Sequence, residues 1–224
     1  MTYLHLVTQR KPNKATMQPD TKKSLIIVAV CSVLTVGGFI GYQQIFTKGI
    51  DRLPERPCAG AVDRSIVAET LPDSRTADER GKITTTSASN QFTFWCYVNA
   101  GGSIVSGEAE SGFATEEVWR QAYQEKRGRD PVSVSAGDVK AIALSGLATV
   151  FVPCTPPRQA DHAAKRTHSL TTEVRTIGES RVQGIALRQV LMDFAYKLTK
   201  HAYKTGECKE AREFPDELPR IKAD

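Results

Sequence analysis

Residues 25–42, LIIVAVCSVLTVGGFIGY, carry no charge, and after them the apolar positions fall into short stretches of period two or of three to four. Period two marks strands with one buried face, and the longer period marks helices with one buried stripe. Segments 82–88 (KITTTSA) and 91–98 (QFTFWCYV) read as two strands of a hairpin, with Ser89 and Asn90 between them. In the second strand Phe92, Phe94, Cys96 and Val98 share a core face, while Thr93, Trp95 and Tyr97 share the other. The turn NAGG leads into a third strand, 103–110 (SIVSGEAE). Segments 148–154 (ATVFVPC) and Ser169–Ile177 (SLTTEVRTI) repeat the arrangement across a longer loop.

Three helices follow from the other period. One covers about 62–71. A second, 115–126 (TEEVWRQAYQEK), opens on Thr115 and acidic residues and is expected to turn Val118, Ala122 and Trp119 inward. The last opens on Ser180 with Gln183 three residues on, a capping-box spacing. It places Val182, Ile185, Val190, Phe194 and Leu198 on one stripe and stops after Thr205 at Gly206. The expected fold is therefore α+β: an antiparallel sheet backed by helices, built as a strand–strand–helix pseudo-repeat. Trp95 and Tyr97, on the non-core face, are either covered by a helix or form a partner surface.

The apolar run has three readings: a cleaved signal, a lipoprotein signal cut before Cys31, or a retained anchor. Its 18 residues make a helix of ~27 Å, near the ~30 Å hydrocarbon core. A cleavable signal has an apolar core of ~7–15 residues followed by small residues; here the run leads into GYQQIFTKG. Only six apolar residues precede Cys31, Val30 stands directly before it, and eleven uncharged residues follow. The pattern favours a retained, single-pass transmembrane helix with its N-terminus in the cytoplasm, and Met17 as an alternative start leaves that unchanged. Gly37 and Gly41 have the GxxxG spacing that lets two spanning helices approach closely, a route to a homodimer. The domains expected are a basic cytoplasmic tail (1–23), the span (24–46), a linker (47–57), an extracytoplasmic domain (58–210) and a polar C-terminal tail (211–224).

Four cysteines lie beyond the span, an even number that fits an oxidising compartment. None forms a CxxC, so neither a redox motif nor a zinc knuckle is indicated. Cys58 opens PCAGAVDRSIVAETL just ahead of the first helix and Cys96 lies in FTFWCYV; Cys154 ends VFVPC and Cys208 follows the last helix. Of three connectivities, this placement favours Cys58–Cys96 and Cys154–Cys208, one bridge in each half. This cysteine pattern, with YKTGEC after the long helix, resembles small membrane-anchored cell-envelope proteins of streptomycete-type actinobacteria over roughly residues 25–210. The resemblance implies an anchor or lipoprotein leader and a four-cysteine ectodomain, and it lends no catalytic residues.

The formal charge of +5 invites a nucleic-acid partner, but its placement argues otherwise. Residues 1–46 carry Arg10, Lys11, Lys14, Lys22 and Lys23 against Asp20, a net +4; the remainder holds 25 basic and 24 acidic side chains. The excess thus flanks the span, where it keeps that end inside, and no cationic groove for nucleic acid is indicated on the folded part.

There is no GxSxG, GxxxxGK[ST], GxGxxG or HExxH, so no cofactor is indicated. His162 and His168 share RQADHAAKRTHSL with Asp161, a candidate metal segment whose neighbours Pro156, Pro157, Lys165 and Arg166 favour a solvated basic loop. Glu108 and Glu110 lie two residues apart on one strand face, ~6.5–7 Å along it, a separation open to acid–base cleavage of glycosides or to plain solvation. The leading expectation is a non-catalytic binding or structural ectodomain meeting a wall component or envelope protein. The alternatives are a wall-directed hydrolase using Glu108 and Glu110, and a subunit of a membrane complex.

Overall fold

The computed structural model describes the backbone of residues 19–46, 48–86, 91–124, 130–157 and 167–222, with side chains undescribed at 19–23 and 43–46. Residues 1–18 of the basic tail, Met17 among them, the Ser89–Asn90 turn, Asp161, His162, Lys165 and Arg166 lie outside these residues.

The first of two units is built on helix α1 (Pro19–Phe46), within which Ser24–Tyr42 is long and apolar enough to cross a membrane, at mean hydropathy 2.3. Among the described residues, nothing in the unit covers its uncharged side chains. Among the described residues of the unit, no atom outside the helix backbone comes within 4 Å of where a Cβ on Gly37 or Gly41 would sit. Ser32 and Thr35 return their hydroxyls to the carbonyls of Val28 and Cys31, which satisfies them inside the helix.

The second unit is an α+β domain around one antiparallel sheet of seven strands in the order β1-β2-β3-β7-β6-β5-β4. The strands are β1 (Ala77–Thr85), β2 (Phe92–Ala100), β3 (Ser103–Gly112), β4 (Val132–Ala136), β5 (Val139–Leu144), β6 (Leu147–Pro153) and β7 (Ser169–Ile177). Hairpins account for most neighbours, and the β3–β7 pairing joins the two halves into one sheet. At the β2–β3 turn Gly101 and Gly102 both have positive φ (61° and 88°), the backbone that a two-residue type I′ hairpin demands.

The inner face of the sheet carries Phe92, Phe94, Cys96 and Val98 as expected, with Val105, Ala109, Val139, Ala141, Val150, Val152, Leu170 and Val174. They pack against α5 (Gly184–Thr205), whose Leu191, Phe194, Ala195, Leu198 and Ala202 are buried, and α3 (Arg64–Thr70) packs beside α5. Residues 211–222, expected as a polar tail, add to this core. Phe214, Leu218 and Ile221 pack there, and the Ile221 N–H donates to Gln189 Oε1 at 2.8 Å.

The last helix starts later than the capping-box spacing suggests. Ser180 donates its hydroxyl to Thr70 O (2.7 Å) instead of capping, so the segment 180–183 docks on the end of α3 and leaves Ile185 exposed.

Both disulfides form as the cysteine placement suggests, Cys58–Cys96 and Cys154–Cys208. Cys58 lies in α2 (Pro57–Gly60), a single turn with Cys58 and Ala59 at φ 60° and 55°. That turn sits directly on Gly81 of β1, where a Cβ would lie 2.4 Å from the Cys58 carbonyl carbon. Glu79 accepts the Cys58 N–H at 2.7 Å, so the strained turn is held from the strand as well as by sulfur.

The sheet is not built from strand–strand–helix repeats. The β4–β5 hairpin lies outside the sequence expectation, because VSVSA is short and half-exposed and VKAIAL, buried on both faces, shows almost no alternation. The order is three strands and a helix, then four strands and a helix. The two helices lie on opposite faces: α4 (Glu116–Gln124) covers the outer face of β5 and β6. Thr115 caps α4 by accepting the Val118 N–H (3.2 Å). Its inward residues are Trp119 and Tyr123; Val118 and Ala122, expected inward, are exposed.

On the inner side His201 of α5 packs edge-on against Phe94, ring centroids 4.9 Å apart. Burial, with Arg56 and Lys204 adding repulsion, holds its pKa below the usual 6.5. The unfolded imidazole then binds a proton more tightly than the folded one, so unfolding takes up a proton below about 6.5. This contribution to stability is complete above that value and is lost as pH falls toward the folded pKa. Burial holds the Asp193 carboxyl above its ordinary value, while at Glu210 burial is outweighed by the bonds accepted from Thr155 and its pKa is lowered. Replacing His201 by Gln is expected to flatten the fall in melting temperature between pH about 7 and about 5.5; an unchanged slope would assign the fall elsewhere.

Candidate functional site

The outer face of the sheet is covered only in part by described residues. Over β5 and β6 it carries Ile142, Leu144, Leu147 and Phe151 beneath Trp119 and Tyr123. Over β1, β2, β3 and β7 it is open, and the strand register fixes which side chains meet there. One row runs Lys82, Trp95, Glu108, Glu173, Thr149; the next runs Arg80, Tyr97, Ser106, Arg175, Leu147. A third holds Asp78, Asn99, Ile104 and Ile177. Residues from these rows line an open concavity of about 810 Å³, with Trp95, Tyr97, Glu108, Glu173, Arg80 and Arg175 on its surface.

Trp95 and Tyr97 are half-buried, and α4 does not reach over them. Their rings present flat apolar surface with polar atoms at the edge, a combination enriched where one side of a contact is apolar and the other wet. Around them the charges are unevenly engaged. Glu173 accepts the Tyr123 hydroxyl at one oxygen (2.7 Å) and pairs with Arg175 at the other. Asp78 accepts from the Asn99 amide (3.1 Å), whose oxygen in turn receives the Gly102 N–H (3.2 Å). Among the described residues, Glu108 and Arg80 have no hydrogen-bond or ion-pair partner. Ile177 at the rim is 55% exposed. The surface therefore offers two rings, one free cation and one free carboxylate within a single hollow.

The carboxylate pair of the sequence reading is rearranged by this register. Glu108 and Glu110 do share the outer face and are both exposed, but Glu110 sits a row away between Thr93 and Thr171 and does not line the hollow. Opposite Glu108 stands Glu173, a residue of β7 that spacing along one strand could not reveal. The signal available was the alternation in SLTTEVRTI, which puts Glu173 and Arg175 together on the polar face. Cleavage of a glycoside needs one carboxyl in a desolvated, apolar setting beside a second. Glu108 and Glu110 face solvent, and Glu173 is engaged by Arg175 and Tyr123.

His168 is not in a solvated loop. It is 6% exposed, immediately before β7, with its ring against Phe113 (centroids 4.6 Å) and its carbonyl accepting the Cys154 N–H. No group of three or more His, Cys, Asp or Glu side chains suited to a metal occurs among the described residues.

Comparison with known protein families, curated proteins and solved structures finds no match to this chain.

Proposed function

We propose that the chain is a single-pass membrane protein whose disulfide-bonded domain lies outside the cytoplasm and binds a component of the cell wall through the open half of its outer sheet face. The observation that carries the reading is the hollow at Trp95 and Tyr97, where aromatic surface, a free guanidinium and a free carboxylate lie side by side while the neighbouring half of the same face is sealed by α4. Lys22 and Lys23 ahead of the apolar run favour an inside N-terminus. Two bridged cysteine pairs favour an oxidising compartment for the domain. A wall glycopeptide suits the hollow chemically: sugar rings stack on Trp95 and Tyr97, and its peptide carboxylates and amines meet Arg80 and Glu108. An envelope-protein partner and assembly through Gly37 and Gly41 fit the same anchor, with less on this face to recommend them.

The test is titration of muropeptides onto the full chain in phosphatidylcholine nanodiscs. Trp95→Ala is expected to weaken binding by about tenfold or more, as removal of a central aromatic anchor does, and the muropeptides recovered afterwards keep their mass. Equal binding by wild type and Trp95→Ala would overturn the reading. Turnover that disappears in Glu108→Gln would replace it with the hydrolase.

A further inference from the structure

A second hollow, of about 550 Å³, lies on the α5 side of the sheet, away from Trp95 and Tyr97. Its lining includes Lys197, Lys200, His201 and Lys204 from one stripe of α5, facing Arg56 and the side-chain-poor wall of Gly60 and Ala61. Spacings of three and four residues bring the three ammonium groups to one face, where like charges repel. Residues 47–224 hold almost equal numbers of basic and acidic side chains, so four cations gathered here are a local excess. Among the described residues one carboxylate is ion-paired to them: Asp63 lies 3.5 Å from Arg56 Nε and 3.5 Å from Lys197 Nζ. The ammonium groups of Lys200 and Lys204 have no ion-pair or hydrogen-bond partner among the described residues. The wall is stiff, because the left-handed turn before Ala61 is bonded to β2 through Cys58–Cys96 and to β1 through Glu79.

We propose that Arg56, Lys197, Lys200 and Lys204 form a binding site for a phosphorylated anion. A guanidinium can take two phosphate oxygens at once, and the lysines act as mobile point charges around it. His201 at the floor of the hollow adds one further N–H donor. A compact anion with more than one negative charge relieves the repulsion along α5, which a single carboxylate such as Asp63 does only at one end. The phosphate can belong to an anionic lipid headgroup or to a soluble or polymeric phosphate, and these donors recognise either.

Two arms separate the sources. In the first, tripolyphosphate is titrated onto the full chain in phosphatidylcholine nanodiscs. It is expected to raise the melting temperature, with affinity falling steeply as salt rises. In the second, the full chain is released from mixed micelles of phosphatidylcholine and phosphatidylglycerol and weighed by native mass spectrometry. Lys200→Gln combined with Lys204→Gln is expected to weaken tripolyphosphate binding by about tenfold or more, with the ligand-free melting temperature unchanged or higher. Lys140→Gln combined with Lys222→Gln, equal in charge and distant from the hollow, should bind as wild type does. Retained phosphatidylglycerol that is lost in the Lys200/Lys204 variant assigns the site to a lipid; tripolyphosphate binding without it assigns a soluble phosphate. Absence of both, or either one unaffected by the Lys200/Lys204 variant, overturns the site. None of these substitutions touches the outer-face hollow, so muropeptide binding stands or falls separately.

Discussion

Replacing Cys154 and Cys208 together by alanine is expected to lower the stability of the folded domain by about 4 kcal/mol. The bridge closes a separation of 54 residues, running from the end of β6 through β7 and α5. Without it the unfolded chain gains the freedom of that whole loop, while the native contacts around Cys154, which is fully buried, change little. The Cys58–Cys96 bridge spans 38 residues, and the same estimate makes its loss smaller by ~0.3 kcal/mol. Removing it also frees the left-handed turn at Cys58 and Ala59 from β2, so the entropic estimate is a lower bound there. Denaturant unfolding of the oxidised protein in neutral detergent, compared with each double-alanine variant, reads both values. A loss below about 1 kcal/mol for both variants would mean that the pairs are not joined in the mature protein, and the reading of an oxidising compartment would go with them.

Trp119→Ala is expected to cost about 3–5 kcal/mol, the second large effect. Trp119 is the one side chain of α4 that is fully buried, 4% exposed, and it holds the helix to the sheet in three ways. Its ring packs on Phe151 (centroids 5.5 Å) and Tyr123 (6.1 Å), and its indole N–H donates to Thr149 Oγ1 at 2.9 Å. A nine-residue helix is too short to persist in water unaided, so removing its anchor frees the whole element. The outer faces of β5 and β6 then meet solvent, and Glu173 loses the Tyr123 hydroxyl that orients it. Trp119→Phe keeps one aromatic ring in place and loses the smaller part of the indole together with its bond to a fully buried hydroxyl, whose unmet hydrogen bond alone is expected to cost about 1–3 kcal/mol. Melting and amide exchange across α4 distinguish the two variants. Equal, small losses in both would show that α4 is held by something other than Trp119.

How much of the fold was legible follows from how strongly each segment alternates. In FTFWCYV large apolar side chains alternate with polar or amphipathic ones, and strand, face and cysteine partner were all readable. SLTTEVRTI was readable for the same reason, down to its bounds. VSVSAGDVKAIAL hides a hairpin, because one of its strands is buried on both faces and the other is small and half-exposed. In α4 the sequence offers two stripes four residues apart, Val118 with Ala122 and Trp119 with Tyr123. Both satisfy the helical period. Only the presence of an apolar patch on the outer side of β5 and β6 selects the second.

The candidate site divides in the same way. Trp95 and Tyr97 were visible as the non-core face of β2, and Glu108 as an exposed carboxylate on β3. Glu173 and Arg175 entered only through the β3–β7 pairing, which brings together residues 65 and 69 positions apart: Glu108 with Glu173, and Ser106 with Arg175.

Residue order alone points to the apolar helix, the disulfide pairing, the inner face of the sheet and the long helix against it. Each of these depends on a local period, a run length or a cysteine placed at the end of an element. Packing of the whole domain sets that α4 and α5 take opposite faces, which half of the outer face stays open, and that Arg56 meets the three lysines of α5 beside a left-handed turn. Those outcomes depend on strand order and on which helix reaches which strands. They are properties of long-range pairing, and no periodicity within a segment encodes them.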